Sequence, residues 1–438
     1  MNIAELTEAD VLAISGRLGE PSWLRDRRQE AFKAFSDLQW PHNRIEEWRY
    51  TDPRRFDFSR PILDAAGSAV ARTDGIVGAV REQVAAGIGI VDSGVTEAVV
   101  TPEAAAQGVV VTDLATAARE HERVVRDALG RAVGPERKFD ALNLAAFTAG
   151  VLVYVPADVE LADPIAVTVQ ASGPGAFLPR VLVALGPHAR ASVYVDHFGD
   201  AETTVVEVIE AVLAEGSRLD CVTAQDWGSS VDHLGAHKGW VGSNAEYRHL
   251  EVTLGGKTVY LTPDAEMAQA GATAELLGVY FTDTGQHIEH RSLIHHNASN
   301  TSSESVYKGA LQGESFASWY GNIRIEAHAK ATASDETNRN LILSDGARVS
   351  SIPFLEILCS DVVRCGHHSS VGQVDEVQLF YLESRGIPRD EAARLLVFGF
   401  FKEVTDRIKL PGVTDVVLAE IEGEIRSGPI TLMDQRRR

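Results

Sequence analysis

The run Val181-Leu-Val-Ala-Leu-Gly-Pro-His188-Ala-Arg-Ala191 sets a short apolar strand beside a corner of small residues. The chain then repeats that arrangement. Corners recur at Glu215-Gly-Ser217, Asn244-Ala245, Ala270-Gly-Ala272 and Asn297-Ala298, in steps of roughly 26 to 29 residues. Further corners follow at Gly313, His328-Ala-Lys-Ala331, Asp345-Gly-Ala347 and Cys365-Gly366. Asn, Gly and Ala suit such places because they accept positive φ or tight turns. Alternating strands stand between them, as at Val151-Leu-Val-Tyr-Val155, Pro164-Ile-Ala-Val-Thr-Val169 and residues 205–213, 252–261 and 321–325. A fixed period of corners between short strands signals a solenoid, whose coils bury their faces on one another. A β-sandwich would show hairpin turns, yet Asn-Gly and Asp-Gly pairs are scarce: Asp74-Gly75 and Asp345-Gly346 are the two. The expected core is mainly β, a right-handed parallel β-helix over residues 136–373.

On both sides of this core the pattern turns helical. Residues 1–135 read as a mainly helical N-terminal region. Ser22 is placed to cap a helix through Trp23, Phe32 and Leu38, and Pro41 stops it. Residues 112–129 read as one amphipathic helix with Leu114, Ala118 and Val125 along one side. Residues 374–438 form the C-terminal helical region. Asp375 caps its first helix, Gly386 ends it, and Pro388 opens a second over residues 390–408. A third covers residues 413–425. The apolar face of the second includes Leu395, Leu396, Phe398, Phe401 and Val404. Core packing accounts for most of that face, and a docking surface for a partner is the second reading.

Bulk properties narrow the function. With 438 residues the chain exceeds one compact core, so two or three structural units are expected. Its net charge of -21 repels phosphate backbones, which argues against nucleic acid; the basic end Gln435-Arg-Arg-Arg438 is too short to reverse this. Three cysteines, Cys221, Cys359 and Cys365, are too few and scattered for a disulfide framework or a structural zinc site. The first ten residues carry three acidic side chains and no apolar core, unlike a signal peptide. Apolar runs such as residues 395–401 are far shorter than a membrane span. A soluble cytoplasmic protein is expected, with no membrane partner.

Several enzyme motifs fail on inspection. Gly255-Gly256-Lys257-Thr258 hints at a phosphate loop, but Glu251 stands where the first glycine is needed and a strand follows instead of a helix. Gly313-Glu-Ser315-Phe-Ala317 lacks the second glycine of a nucleophile elbow. Two histidine groups remain. In His287-Ile-Glu-His290-Arg-Ser-Leu-Ile-His295-His296, His287 and His290 would point to opposite faces of a strand, so exposed or hydrogen-bonded imidazoles are expected. In Arg364-Cys365-Gly-His367-His368, Cys365 and His367 share one face of a strand, a spacing that can offer sulfur and imidazole to one metal, while a buried structural cysteine is the other reading of Cys365. Two ligands cannot close a tetrahedral site, so others must come from elsewhere.

Three stretches resemble the SufB/SufD family of iron–sulfur cluster assembly proteins. Pro41-His-Asn-Arg-Ile-Glu-Glu-Trp-Arg-Tyr-Thr51 resembles its N-terminal signature, and Leu142-Asn143 through Tyr154-Val-Pro156, then Pro164-Ile165, resembles the lead-in to its β-helix. The most specific stretch runs from Leu355-Glu-Ile-Leu-Cys-Ser-Asp361 through Cys365-Gly-His367 to Val371-Gly-Gln-Val-Asp375, Gln378-Leu-Phe-Tyr-Leu382 and Ser384-Arg-Gly-Ile387. Together they cover nearly the whole chain. Members of the SufB type carry a scaffold cysteine shortly before a run like Pro353-Phe-Leu-Glu356. Ala347 stands at that place here, and Cys365-Gly-His367 is similar to the SufD form.

The resemblance implies a non-catalytic scaffold subunit of the SUF system. It would pair with a SufB-like chain and dock SufC-like ATPases on its C-terminal helices, through Phe380, Tyr381, Leu395, Phe398 and Phe401. It implies a nascent iron–sulfur cluster at the interface with the SufB-like partner, with His367 as a ligand, Cys365 beside it and a thiolate from the partner. His368 stands where many relatives have a small residue. A flavin would come by way of the complex, and the isolated chain could form a homodimer. Two other classes stay open. One is a β-helix carbohydrate-active enzyme using Glu207, Glu210 and Glu251, although a solvated strand face explains these better. The other is a homodimeric binding module without cluster chemistry.

Overall fold

The computed structural model describes residues 1–63, 84–408, 410 and 414–426. Asp74-Gly75, Val413 and the basic end at residues 435–438 lie outside them. From the strand Pro179–Leu185 onward, each strand pairs in parallel with the strand two places later. Consecutive strands therefore climb two separate sheets, one of eleven strands and one of ten, in a parallel β-solenoid of about eight coils. Neither sheet can bury its inner face without the other, and one apolar cluster fills the space between them.

The expected corners set the coil geometry. His188, Gly216, Asn244, Gly271, Asn300 and Ala331 all have positive φ, each where the chain leaves the ten-stranded sheet for the eleven-stranded one. They stack as well as recur. The amides of His188, Gly216 and Asn244 donate to the carbonyls of Glu215, Ser243 and Ala270 one coil on, at 2.8, 2.8 and 3.0 Å. Backbone groups that a turn leaves unpaired are thus satisfied by the next turn.

Three details of the core differ from expectation. The left-handed residue near Asn297-Ala298 is Asn300. Cys365-Gly366 is no corner but lies inside the strand Val362–Gly372. Residues 252–261 are not one strand: Gly255-Gly256 breaks them into the ends of Glu246–Thr253 and Thr258–Met267. A Cβ on Gly255 would lie 2.1 Å from the Trp227 carbonyl oxygen, so the chain can turn there only with glycine.

Helices cover the outer faces. Glu8–Arg17, Ser22–Asp37 and Lys138–Ala146 pack against Leu152, Leu182, Leu234 and Tyr260 of the ten-stranded sheet. Ser22 is the first helical residue and follows Pro21, so it provides no side-chain cap; Thr7 and Asp10 form a capping box on the preceding helix. Residues 112–129 are not one helix. Val110–Asp113 is a strand antiparallel to Ala149–Val155; Asp113 then caps Leu114–Glu120, and Glu122–Ala128 starts anew after His121.

The C-terminal helices Arg389–Thr405 and Thr414–Arg426 lie on the eleven-stranded sheet, with Val397, Phe401, Val404 and Ile421 against Val222, Leu250, Leu277 and Val279. Buried Lys308 donates to the Phe400 carbonyl at 3.0 Å and pairs with Glu403. Among the described residues, no helix is long and apolar enough to cross a membrane.

Candidate functional site

The solenoid ends on two strands, Arg348–Ile357 and Val362–Gly372, each the last of its sheet. Register fixes where their side chains point. Cys365, His367 and Ser369 stand beside Ser334, Glu336 and Asn338 of the preceding strand. Those three neighbours are buried in the interior, so the side chains aligned with them point the same way. Among the described residues no further coil lies over them, and His367 is therefore exposed although it belongs to an inward ladder. Cys365 is half-buried against the apolar interior. The structure thus brings Cys365 and His367 to one face at the open end. His368 projects from the opposite face, as does Arg364, which pairs with Asp335 at 2.6 Å.

The chemistry around this pair is polar. Burial, followed by the charges of Glu336 and Asp335, pushes the Cys365 thiol up to about 11. Burial likewise pushes Glu336 up to about 8, against a hydrogen bond from the Phe354 amide. Across the end, Ser369 Oγ donates to Ser351 Oγ at 2.8 Å, and Ser351 donates to Asn338 Oδ1 at 2.6 Å. These bonds tie the two sheets together where the coils stop. Around them Phe354, Ile357, Leu358, Val363 and Val371 are exposed.

The expected docking residues separate into two groups. Phe380, Tyr381 and Leu395 are exposed, Phe380 by 70%, and Phe398 is half-buried. Phe401 is 1% exposed and belongs to the cluster against the eleven-stranded sheet, which corrects its reading as a docking residue. The first histidine group is likewise not exposed. His287, His290 and His296 are buried: His287 faces Thr51 at 2.8 Å outside the sheet, and His290 faces Thr253 at 2.9 Å inside it. The two do diverge, and only His295 reaches the surface region, 3.0 Å from Glu326.

Sequence reading named three carboxylates of a second group but missed the histidines around two of them. Glu207, Glu210 and Glu251 lie on no groove or solvated face; all three are buried. Glu210 anchors the N-terminal unit by pairing with Arg180 at 2.7 Å and accepting the Gly130 amide at 2.9 Å. Glu207 and Glu251 point into the solenoid among His197, His233, His237 and His249. A carbohydrate-cleaving site built on these carboxylates has no access to a polymer. The spacing of Glu207 and His237, about one coil, is the signal that could have brought them together.

The N-terminal signature acts as a clamp. Trp48 stacks on Tyr260, whose hydroxyl donates to the Glu47 carbonyl at 2.9 Å, and Thr51 donates to Glu289 at 2.5 Å.

Comparison with known proteins agrees with this architecture. The profile described as the SUF system FeS cluster assembly SufBD core domain matches residues 167–400, and that of the SufBD protein N-terminal region matches residues 17–167. An iron–sulfur cluster assembly SufBD family protein of Mycobacterium tuberculosis is 39% identical over 305 residues, 68% of this chain and 76% of the relative. One from Mycobacterium leprae is 37% identical over 305 residues, 68% and 77% of the two chains. One from Staphylococcus haemolyticus is 26% identical over 438 residues, 96% and 94%.

Proposed function

This chain belongs to the SufBD family of iron–sulfur cluster assembly proteins, and from that premise we propose that it is a SufD-type scaffold subunit, a cytoplasmic, non-catalytic partner of a SufB-like chain and of SufC-like ATPases. One observation carries the reading: the last coil offers His367 to solvent from an inward ladder, with Cys365 two residues away on the same face. Edge strands leave backbone groups unpaired, and the apolar side chains around this end need cover, which a second solenoid supplies. At that junction His367 gives one imidazole to iron and the SufB-like partner gives a thiolate. Cys365 joins as a ligand only by losing its proton, which iron binding drives. A second copy of this chain can take the same end when the partner is missing. Any flavin belongs to the assembled complex rather than to this chain.

The C-terminal region, residues 374–438, is the ATPase platform in this reading. Phe380, Tyr381, Leu395 and the half-buried Phe398 rim its outer side, where Val377, Tyr381, Leu382 and Leu396 line an apolar groove. ATP turnover in the docked subunits would then act on the cluster end through the helices seated on the eleven-stranded sheet.

The test is anaerobic reconstitution with SufB- and SufC-like chains, followed by quantification of iron and acid-labile sulfide. His367→Ala is expected to abolish cluster loading while the complex still assembles. Normal loading by that variant would remove His367 from the cluster.

A further inference from the structure

Six ionisable side chains meet inside the solenoid, apart from the open end. His197, His249 and Glu251 come from the eleven-stranded sheet, and Glu207, His233 and His237 from the ten-stranded one. None is more than 1% exposed. The Nε2 atoms of His197, His233 and His237 lie 2.9, 3.2 and 3.2 Å from the same oxygen, Oε2 of Glu207. Their ring centroids stand 5.8, 6.3 and 6.3 Å from one another, so three imidazoles surround one carboxylate.

The outer nitrogens decide the chemistry. His197 Nδ1 lies 3.0 Å from the Ala224 carbonyl oxygen, and His237 Nδ1 lies 2.8 Å from Glu251 Oε2. Neither oxygen has a proton to donate, so each Nδ1 carries one. In a neutral ring the Nε2 is then a lone pair aimed at a carboxylate, a repulsive contact unless a cation sits between them. Glu251 stands to His237 as carboxylates stand to metal-bound imidazoles, fixing tautomer and ring orientation from behind. Glu207 and Glu251 together need two positive charges, which are either two buried protons or one divalent ion.

The geometry points to the second: a resident divalent transition-metal ion inside the solenoid, held by Glu207, His233 and His237, with His197 beside the same carboxylate and Glu251 as its outer support. Imidazole and carboxylate donors without thiolate suit zinc or iron(II) rather than calcium or magnesium. Donor atoms of a tetrahedral site with bonds of about 2.1 Å stand roughly 3.4 Å apart. The nitrogen–oxygen separations found here are close to that already. Glu207, His233 and His237 keep their donor atoms within 4.8 Å of one another. His233 is the ligand that must adjust, because Trp227 Nε1 donates to its Nδ1 at 3.2 Å and gives up that bond when the ion arrives. Beside His237, the His249 Nδ1 is also buried without a hydrogen-bond partner among the described residues.

A sealed site loads as the chain folds. The full chain is refolded from denaturant with Co2+ as probe, surface-bound ion is stripped with a chelator, and the retained metal is measured by mass spectrometry and visible absorption. One equivalent of cobalt with the bands of a four-coordinate ion is expected, and Zn2+ present during refolding should displace it. Glu207→Gln and His237→Gln should each lower retention about tenfold or more, with refolding checked by circular dichroism. Wild-type protein that refolds fully yet keeps no cobalt overturns the proposal and leaves a network balanced by protons. Equal retention by wild type and a folded Glu207→Gln variant also overturns it, by placing the metal elsewhere. If both variants fail to fold, the wild-type spectrum decides: a thiolate-to-cobalt charge-transfer band would place the ion at a cysteine and overturn the proposal, and its absence supports the imidazole and carboxylate site.

Discussion

Trp48 lies flat on Tyr260, with ring centroids 4.4 Å apart and planes 4° from parallel. A residue of the N-terminal segment is thereby fixed to a strand of the ten-stranded sheet more than two hundred positions away. Trp48 is buried, so Trp48→Ala should cost about 3–5 kcal/mol. Tyr260→Phe keeps the ring and loses only the bond to the Glu47 carbonyl, for about 0.5–1.5 kcal/mol. Urea unfolding of the two variants checks the ranking; equal costs would mean that stacking is not what holds the segment.

The stack of left-handed corners makes glycine the better residue at two of its steps, so opposite substitutions there have opposite signs. Ala331 pays for a side chain at φ 53, so Ala331→Gly should stabilise by about 0.5–1 kcal/mol. Gly271 sits at φ 78, and a Cβ there would meet Asn244 Oδ1 at 2.1 Å. Gly271→Ala should therefore destabilise by about 1–3 kcal/mol. Thermal unfolding of both reads the two signs directly.

Phe401 and Phe380 separate folding from recruitment. Phe401→Ala empties a buried position and should cost about 3–5 kcal/mol in chemical denaturation. Phe380→Ala alters an exposed ring and should stay within about 0.5 kcal/mol of the parent. If the C-terminal helices dock the ATPase, the second variant folds normally yet captures SufC-like protein at least tenfold more weakly. Unchanged capture would move the docking surface elsewhere.

The last helix should hold less tightly as pH rises. Burial, and then the charges of Asp196 and Asp226, push Glu420 up to about 8, and burial pushes Asp196 up to about 6. A carboxyl whose folded value exceeds its unfolded one contributes fully below the unfolded value, near 4.5, and loses that contribution as pH climbs through the folded value. The urea midpoint should fall between about pH 5 and pH 9, by roughly 2–4 kcal/mol of stability. Glu420→Gln should flatten that slope, and a slope unchanged in the variant would assign it to other groups.

Much of this was legible in the sequence because corner chemistry is local. Gly216, Asn244 and Gly271 announce a left-handed turn by residue type alone, and their spacing announces the coil. Gly255-Gly256 escaped because it interrupts an apolar run that reads as one strand. Cys365-Gly366 misled in the other direction, since a glycine inside a strand looks like a corner; its neighbour across the ladder, Asp335, lies so close that a Cβ on Gly366 would meet Oδ1 at 2.4 Å. The Cys365 and His367 pairing was readable from period two. The interior histidines were not, because His197, His233 and His249 are dispersed along the chain and only parallel register brings them together. Phe401 shows the limit of composition: an apolar helix face looks the same whether a sheet of its own chain or another protein covers it.

The two ends of the solenoid are unlike. At the first end, the two-residue strands Gly94–Val95 and Val99–Val100 lie antiparallel to Ala86–Val91, and Val110–Asp113 does the same beside Ala149–Val155. At the other end, among the described residues, full-length parallel strands stop without a reversed strand beside them. A rod with two matching ends can add copies without limit and grow into a fibre, whereas a rod with one blunted end cannot propagate. An end-to-end union of such molecules would close at two, and the short reversed strands near residue 90 would set that limit from the side that never touches the joint.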